Sequence, residues 1–249
     1  MAAVRKSEAR SAARMASKSA RTAETVDADV SSSDKVVDHV TTSIRAGRYV
    51  PGQRLVEADI TRTLNVSRGP VREGFRRLDA LGILTRTMHR GACVRTLSRT
   101  EAVDLLRAVE PLNGLIARLA AERFAKGDGC SELESFKREL RPYRERQENV
   151  SDLSGQRRHF YELLVAIGGN TQLPSVFPMM RIQLLRLQTH SFLGIETRHE
   201  HVESYARVTE AVIQGNGKLA EKALVSHVRR VQQAIASLPD AAFPPTDME

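Results

Sequence analysis

The chain has 249 residues, 41% of them hydrophobic and 27% charged, and a formal net charge of +8. That length allows one large domain or two smaller ones, and no apolar run reaches the roughly 18 residues that a membrane-spanning helix needs. The cysteines, Cys93 and Cys130, are too few for a disulfide framework or a zinc site and suit a reducing cytoplasm, while the absence of Trp and 4% aromatic content argue against a single-strand stacking platform.

The charge is unevenly placed. Residues 1–30 carry six Lys/Arg against four Asp/Glu, residues 31–97 carry twelve against six, and residues 98–249 are balanced at twenty of each. A basic segment joined to a longer neutral one points to a polyanion-binding module followed by a domain with another task. Residues 1–30 are basic and rich in small residues, with no apolar core for a secretory signal. They predict a disordered basic arm, although an Arg/Ser/Ala-rich start also fits a transit peptide.

Val36, Val37, Val40 and Ile44 recur at helical spacing, so a helix is predicted after Ser33, capped by Ser33 or Asp34 and stopped by Gly47. Pro51-Gly52 makes a turn. A second helix over 56–64 turns Ile60 and Leu64 inward, and Asn65-Val66 forms the next turn. Ser67 is placed to cap a third helix, and Pro70 is tolerated in its first turn. Val71, Phe75, Leu78 and Leu81 are its predicted buried stripe. The opposite face carries Arg68, Arg72 and Arg76 in one row, with Arg77 to the side. Only Glu73 and Asp79 are close in sequence to pair with these four arginines. Such a row suits guanine edges or phosphates in a major groove. Gly82 ends the helix. Residues 83–85 and 92–94 alternate like short strands around a basic tip at Met88–Gly91. The layout predicts a winged helix-turn-helix over residues 31–97 that reads duplex DNA.

From Ser98 onward strand signals stop. Ser98 and Glu101 form a capping box. The helix they open, to about residue 125, has Ala102, Leu105, Leu106, Val109, Leu112, Leu115, Ile116, Leu119 and Ala120 on one broad face. Gly127-Asp128-Gly129 breaks it. Further helices are predicted over 131–149 (kinked near Pro142), 152–168, 173–193 (kinked early at Pro178), 198–215 and 217–237. Residues 98–238 therefore read as an all-α bundle with its own core, followed by a Pro-rich flexible tail over 239–249. The fold class is mainly α. No nucleophile elbow, P-loop, zinc-protease motif or paired carboxylate–His set is present, so neither an enzyme nor a cofactor is predicted.

Several spaced motifs carry a resemblance. Gly47, Pro51-Gly52 and Leu55, then Leu64-Asn65-Val66-Ser67-Arg68-Gly69-Pro70-Val71-Arg72-Glu73, then Leu81-Gly82-Ile83-Leu84 and Arg90-Gly91-Ala92 with Val94, resemble the GntR family of bacterial transcription regulators. The resemblance implies that Ser67, Arg68 and Arg72 touch DNA, as do the wing-tip residues His89 and Arg90, with Arg76 and Arg77 as supporting charge. Gly69 stands where the family usually has Thr, so one hydroxyl contact is missing and the sequence preference should differ. Gly74 stands where Ala is usual, at a cost of about 1 kcal/mol in helix stability.

Leu106-Arg107 with Glu110-Pro111, Ala120-Ala121-Glu122, Phe160, Gly169-Asn170, Glu210-Ala211, Gly215-Asn216, Ala223 and His227 resemble the FCD effector domain of the FadR-like branch. That implies a ligand pocket in the bundle core and a homodimer. Many members hold a divalent metal there with a carboxylate and three histidines. Those positions fall at Arg157, Tyr161, Tyr205 and His227, so one of four ligands remains, and His201, one turn before Tyr205, is the only substitute. Arg cannot ligate and Tyr rarely does, so no metal is expected. Arg157, Tyr161, Tyr205 and His227 would instead line the core, with Arg157 paired to an anionic effector, such as a carboxylate, or to Glu110. A closed polar network without ligand is the other reading. Arg107 is a second candidate anchor, unless it pairs with Glu110 or Asp104.

The expected protein is a cytoplasmic, dimeric, effector-responsive regulator on a near-palindromic operator. The alternatives are a non-specific nucleic-acid-binding protein, or a metal-binding helical domain with a DNA-binding module.

Overall fold

Ser31 opens the first helix: its hydroxyl accepts a hydrogen bond from the Asp34 amide at 3.1 Å, and α1 runs Ser32–Arg45. Ser33 and Asp34, the expected caps, therefore lie inside it. The computed structural model describes residues 31–87, 91–127, 131–145 and 153–243. The basic arm expected over 1–30 lies outside them. Val36, Val40 and Ile44 on α1 are fully buried.

A two-residue strand that the sequence pattern does not announce, β1 (Arg54–Leu55), precedes α2 (Glu57–Leu64). Asn65 then turns the chain with a left-handed φ of 51°, a conformation Asn tolerates, and α3 runs Arg68–Ala80. β2 (Leu84–Thr87) and β3 (Gly91–Val94) follow, and β3 is central in an antiparallel sheet ordered β1-β3-β2. Val71, Phe75 and Leu78 face inward from α3 as expected, but Leu81 caps the helix and is 60% exposed.

Gly74 has a reason that helix propensity alone does not supply. A Cβ there would meet the Val36 side chain at 2.6 and 2.8 Å, so α1 and α3 touch at a point only glycine allows. Gly74→Ala gains about 1 kcal/mol of propensity but forces a clash of the kind that costs about 1–3 kcal/mol. The expected result is a net loss of stability, read as a lower urea midpoint with unchanged slope. An unchanged or higher midpoint would contradict this close approach.

In the second domain Ser98 and Glu101 make both bonds of the capping box, at 3.2 and 2.8 Å, and open α4 (Arg99–Phe124). α5 (Ser131–Arg144), α6 (Ser154–Gly168), α7 (Leu173–Val176), α8 (Met179–Thr189), α9 (Ile195–Ile213) and α10 (Gly217–Ala236) complete the bundle. The single helix expected over 173–193 is divided at Phe177-Pro178 and ends in a 3-10 turn, His190–Phe192. α4 packs against α6, α9 and α10, and α1 of the first domain rests on α8. The tail expected to be flexible is packed as far as Phe243. Arg99 bonds Asp240 at 2.8 Å and covers the Phe243 ring at 4.6 Å. Gln188 on α8 accepts from the Leu97 amide at 2.9 Å and donates to the carbonyls of Leu97 and Ala242 at 2.8 and 2.9 Å. One side chain thus fixes the interdomain linker, the turn at Asp240–Ala242 and the bundle together. Among the described residues, no helix is long and apolar enough to cross a membrane.

Candidate nucleic-acid interface and core cavity

Ser67 precedes α3 in an extended conformation, but its hydroxyl makes no capping bond, contrary to expectation. Ser67, Arg68 and Gly69 are exposed at the start of the helix, and a Cβ on Gly69 would meet nothing within 4 Å. This end of the helix therefore offers a hydroxyl, a guanidinium and bare backbone to a partner.

The arginine row is exposed as predicted, yet more carboxylates attend it than sequence proximity suggests. Arg72 Nε lies 3.0 Å from Glu57 of α2, Arg76 pairs with Glu73, and Arg77 lies 2.6 Å from Asp34 of α1. Arg68 has no ion-pair partner among the described residues. The pairs of Arg72 and Arg76 are exposed, and such pairs contribute little, so a phosphate can displace them. Arg77 also donates to Ser33 and is turned toward α1, where it holds the Asp34 carboxyl below its usual range. It ties α3 to α1 while remaining exposed. His89 and Arg90, the expected wing contacts, lie outside the described residues.

The bundle holds a partly open cavity of about 90 Å³. Arg157 and Tyr161 reach it from α6, Tyr205 from α9 and His227 from α10, so four of the five expected core residues line one space. The Arg157 guanidinium lies 5.2 Å over the Tyr161 ring, and the Tyr205 and His227 rings are 5.2 Å apart. Arg107 does not join them. It is exposed on α4, 3.3 Å from Asp104, because the neighbouring position, Leu106, takes the inward direction. Nor is Glu110 the partner of Arg157: it bonds Arg229 at 2.9 Å and Gln232 at 3.1 Å.

His201 and Asn113 also belong to the cavity wall. His201 stands edge-on to His227 at 5.2 Å, and Asn113 enters from α4. Asn113 is a polar residue within the apolar face of that helix, which is the signal that marks it in the sequence. Its amide donates to the Val109 carbonyl at 2.8 Å, leaving Oδ1 buried without a partner among the described residues. His227 Nδ1 is likewise buried and unpaired. Native proteins seldom leave such atoms unsatisfied, so they mark a place for water or ligand.

Burial, followed by the nearby Arg157 and Arg230 charges, pushes His201 down to about 4. Burial also holds His227 well below its ordinary value, with His201 and Arg157 adding to the effect. Burial raises both tyrosines. At neutral pH the histidines are uncharged and the phenols protonated. Among the described residues, the formal charges on the wall are the guanidiniums of Arg157 and Arg186, and no carboxylate lines it. A divalent cation does not fit. Only two histidines face a guanidinium, and among the described residues no three His, Cys, Asp or Glu gather to hold a metal. The wall suits an anion that takes hydrogen bonds from Arg and Tyr.

Residues 32–94 match the family described as bacterial regulatory proteins, gntR family, and residues 104–230 match the FCD domain. A relative in Paenarthrobacter nicotinovorans, "Probable D-xylose utilization operon transcriptional repressor", is 29% identical over 81% of this chain and 88% of its own length. The HTH-type transcriptional repressor RspR of Escherichia coli is 22% identical over 76% of this chain and 82% of its own. Among solved structures, E. coli McbR/YncC has the same fold, with a TM-score of 0.67 at 18% identity over 83% of this chain and 97% of that one. A GntR regulator from Rhodococcus sp. RHA1 gives a TM-score of 0.58 at 22% identity over 82% and 96%.

Proposed function

The chain belongs to the gntR family of bacterial regulatory proteins, with an FCD domain behind its DNA-binding module, and from that premise we propose a homodimeric, sequence-specific repressor whose operator affinity is set by a small organic anion in the core cavity. Transcription regulation, rather than catalysis, is the activity of this family. In the proposed assignment, Ser67, Arg68, the Gly69 backbone and Arg72 contact DNA, with His89 and Arg90 at the wing. Arg76 adds charge and Arg77 holds the helix. Two copies would set two recognition helices in successive major grooves of a near-palindromic site in cytoplasmic DNA.

The observation that supports an anion is the Arg157 guanidinium, which faces a cavity without a carboxylate beside two unsatisfied polar atoms. The cavity has room for several waters or a small acid such as a short carboxylate. Tyr161, Tyr205 and His227 would orient it. Binding shifts operator affinity only if the acid prefers one relative arrangement of the two DNA-binding modules.

A shift assay on the duplex upstream of the protein's own gene tests the DNA half. Affinity for it should exceed that for an unrelated duplex by about a thousandfold or more and fall steeply as salt rises. Equal affinity for both duplexes would instead describe a non-specific nucleic-acid-binding protein.

A further inference from the structure

A second cavity, of about 460 Å³, opens where the two domains meet. Arg45, the last residue of α1, brings the DNA-binding module into its wall. The effector domain supplies Arg157, Arg158 and Glu162 from α6, with Leu173, Phe177, Met179 and Met180 as an apolar floor. Arg157, Tyr161 and Phe177 line this cavity and the core cavity alike, so these side chains separate the two spaces.

The wall chemistry has two parts. Three guanidiniums face one carboxylate, Glu162, which lies 3.9 Å from Arg158. Among the described residues, neither Arg45 nor Arg157 has an ion-pair partner. Apart from Tyr161 and Gln183 the remainder is apolar, and Met179 is 39% exposed at its edge. Methionines adapt to ligands of irregular shape. A net positive rim over an apolar floor complements a molecule with an acid group on a hydrocarbon body.

We propose that this junction cavity is a second ligand site, sharing the Arg157 guanidinium with the core cavity, for an amphipathic carboxylate of aryl or cycloalkyl type. The acid group is held by Arg45 and Arg157, and the apolar body lies on Leu173, Phe177, Met179 and Met180. Such a ligand touches both domains at once. Because α1 and α3 meet without slack at Gly74, a ligand that moves α1 carries the recognition helix with it.

The test is calorimetry on the full chain with hydrocinnamate, and with hydrocinnamyl alcohol as its uncharged counterpart. Hydrocinnamate should bind, and the alcohol should bind much more weakly. Arg45→Ala, an exposed change outside the DNA contacts, should weaken hydrocinnamate about tenfold or more, as for loss of a charged hydrogen bond. It should leave operator affinity without ligand unchanged. His227→Phe, which obstructs the core cavity, should leave hydrocinnamate binding intact. No binding, equal binding of the alcohol, or full affinity in Arg45→Ala would each overturn the proposal. Loss of hydrocinnamate in His227→Phe with retention in Arg45→Ala would also overturn it, placing the acid in the core cavity and leaving the proposed function standing.

Discussion

Replacing Arg68 and Arg72 together by alanine is expected to abolish operator binding at physiological salt. Each arginine that takes a guanine edge or a phosphate is worth about 1–3 kcal/mol, so the pair should cost between about thirtyfold and about 25,000-fold in affinity. Freeing Glu57 from Arg72 returns little, because that pair is exposed. Fluorescence anisotropy across a salt series separates the two kinds of contact. If both arginines hold phosphates, the slope of log K against log salt falls by about two; if both read bases, affinity falls with the slope preserved and discrimination relaxes at two positions. An unchanged affinity would remove α3 from the interface. Arg77→Ala should act differently, since Arg77 is engaged with Asp34 and Ser33.

The second large effect is expected at Arg157. Arg157→Leu should weaken a small organic acid by about ten- to a hundredfold, the value of a hydrogen bond to a charged group. The protein without ligand should keep its melting temperature or gain a little. A half-buried guanidinium without a carboxylate partner among the described residues is costly, and an apolar side chain of similar reach is not. Thermal shift with a panel of short carboxylates, on wild type and variant, reads both outcomes. Acids that stabilise Arg157→Leu as strongly as the wild type would show that the cavity does not use its positive charge. A large drop in the unliganded melting temperature would mean that the guanidinium is structural, as in a closed polar network.

Helix α3 was legible because its signals are local. Ser67 and Pro70 mark its start, and Val71, Phe75 and Leu78 repeat at helical spacing. The error at Leu81 came from continuing that stripe past the point where Gly82, with φ +67°, takes the chain away. The partners of the arginines were illegible because they are not local: Glu57 precedes Arg72 by 15 residues and Asp34 precedes Arg77 by 43. β1 is two residues long, too short for alternation to register. In the effector domain, family resemblance brought Arg157, Tyr161, Tyr205 and His227 together where periodicity could not, since three helices contribute them. It failed for Arg107, because adjacent residues on a helix point about 100° apart and Leu106 already faces the cavity. Asn113 and the junction cavity needed the packed structure, as they depend on which faces meet.

The Gln188 clamp bears on how such proteins diversify. Regulators built from a reading head and a sensing body invite recombination, in which one head is exchanged among many bodies. Here the seam at Leu97 is held by a glutamine 91 positions away, which also grips the backbone at Ala242. Both bonds at the seam go to the Leu97 backbone, so a body that keeps Gln188 can grip whatever non-proline residue a new head brings to position 97. A chimera whose body carries this glutamine should keep its head seated, whereas one whose body lacks it begins with a swivel.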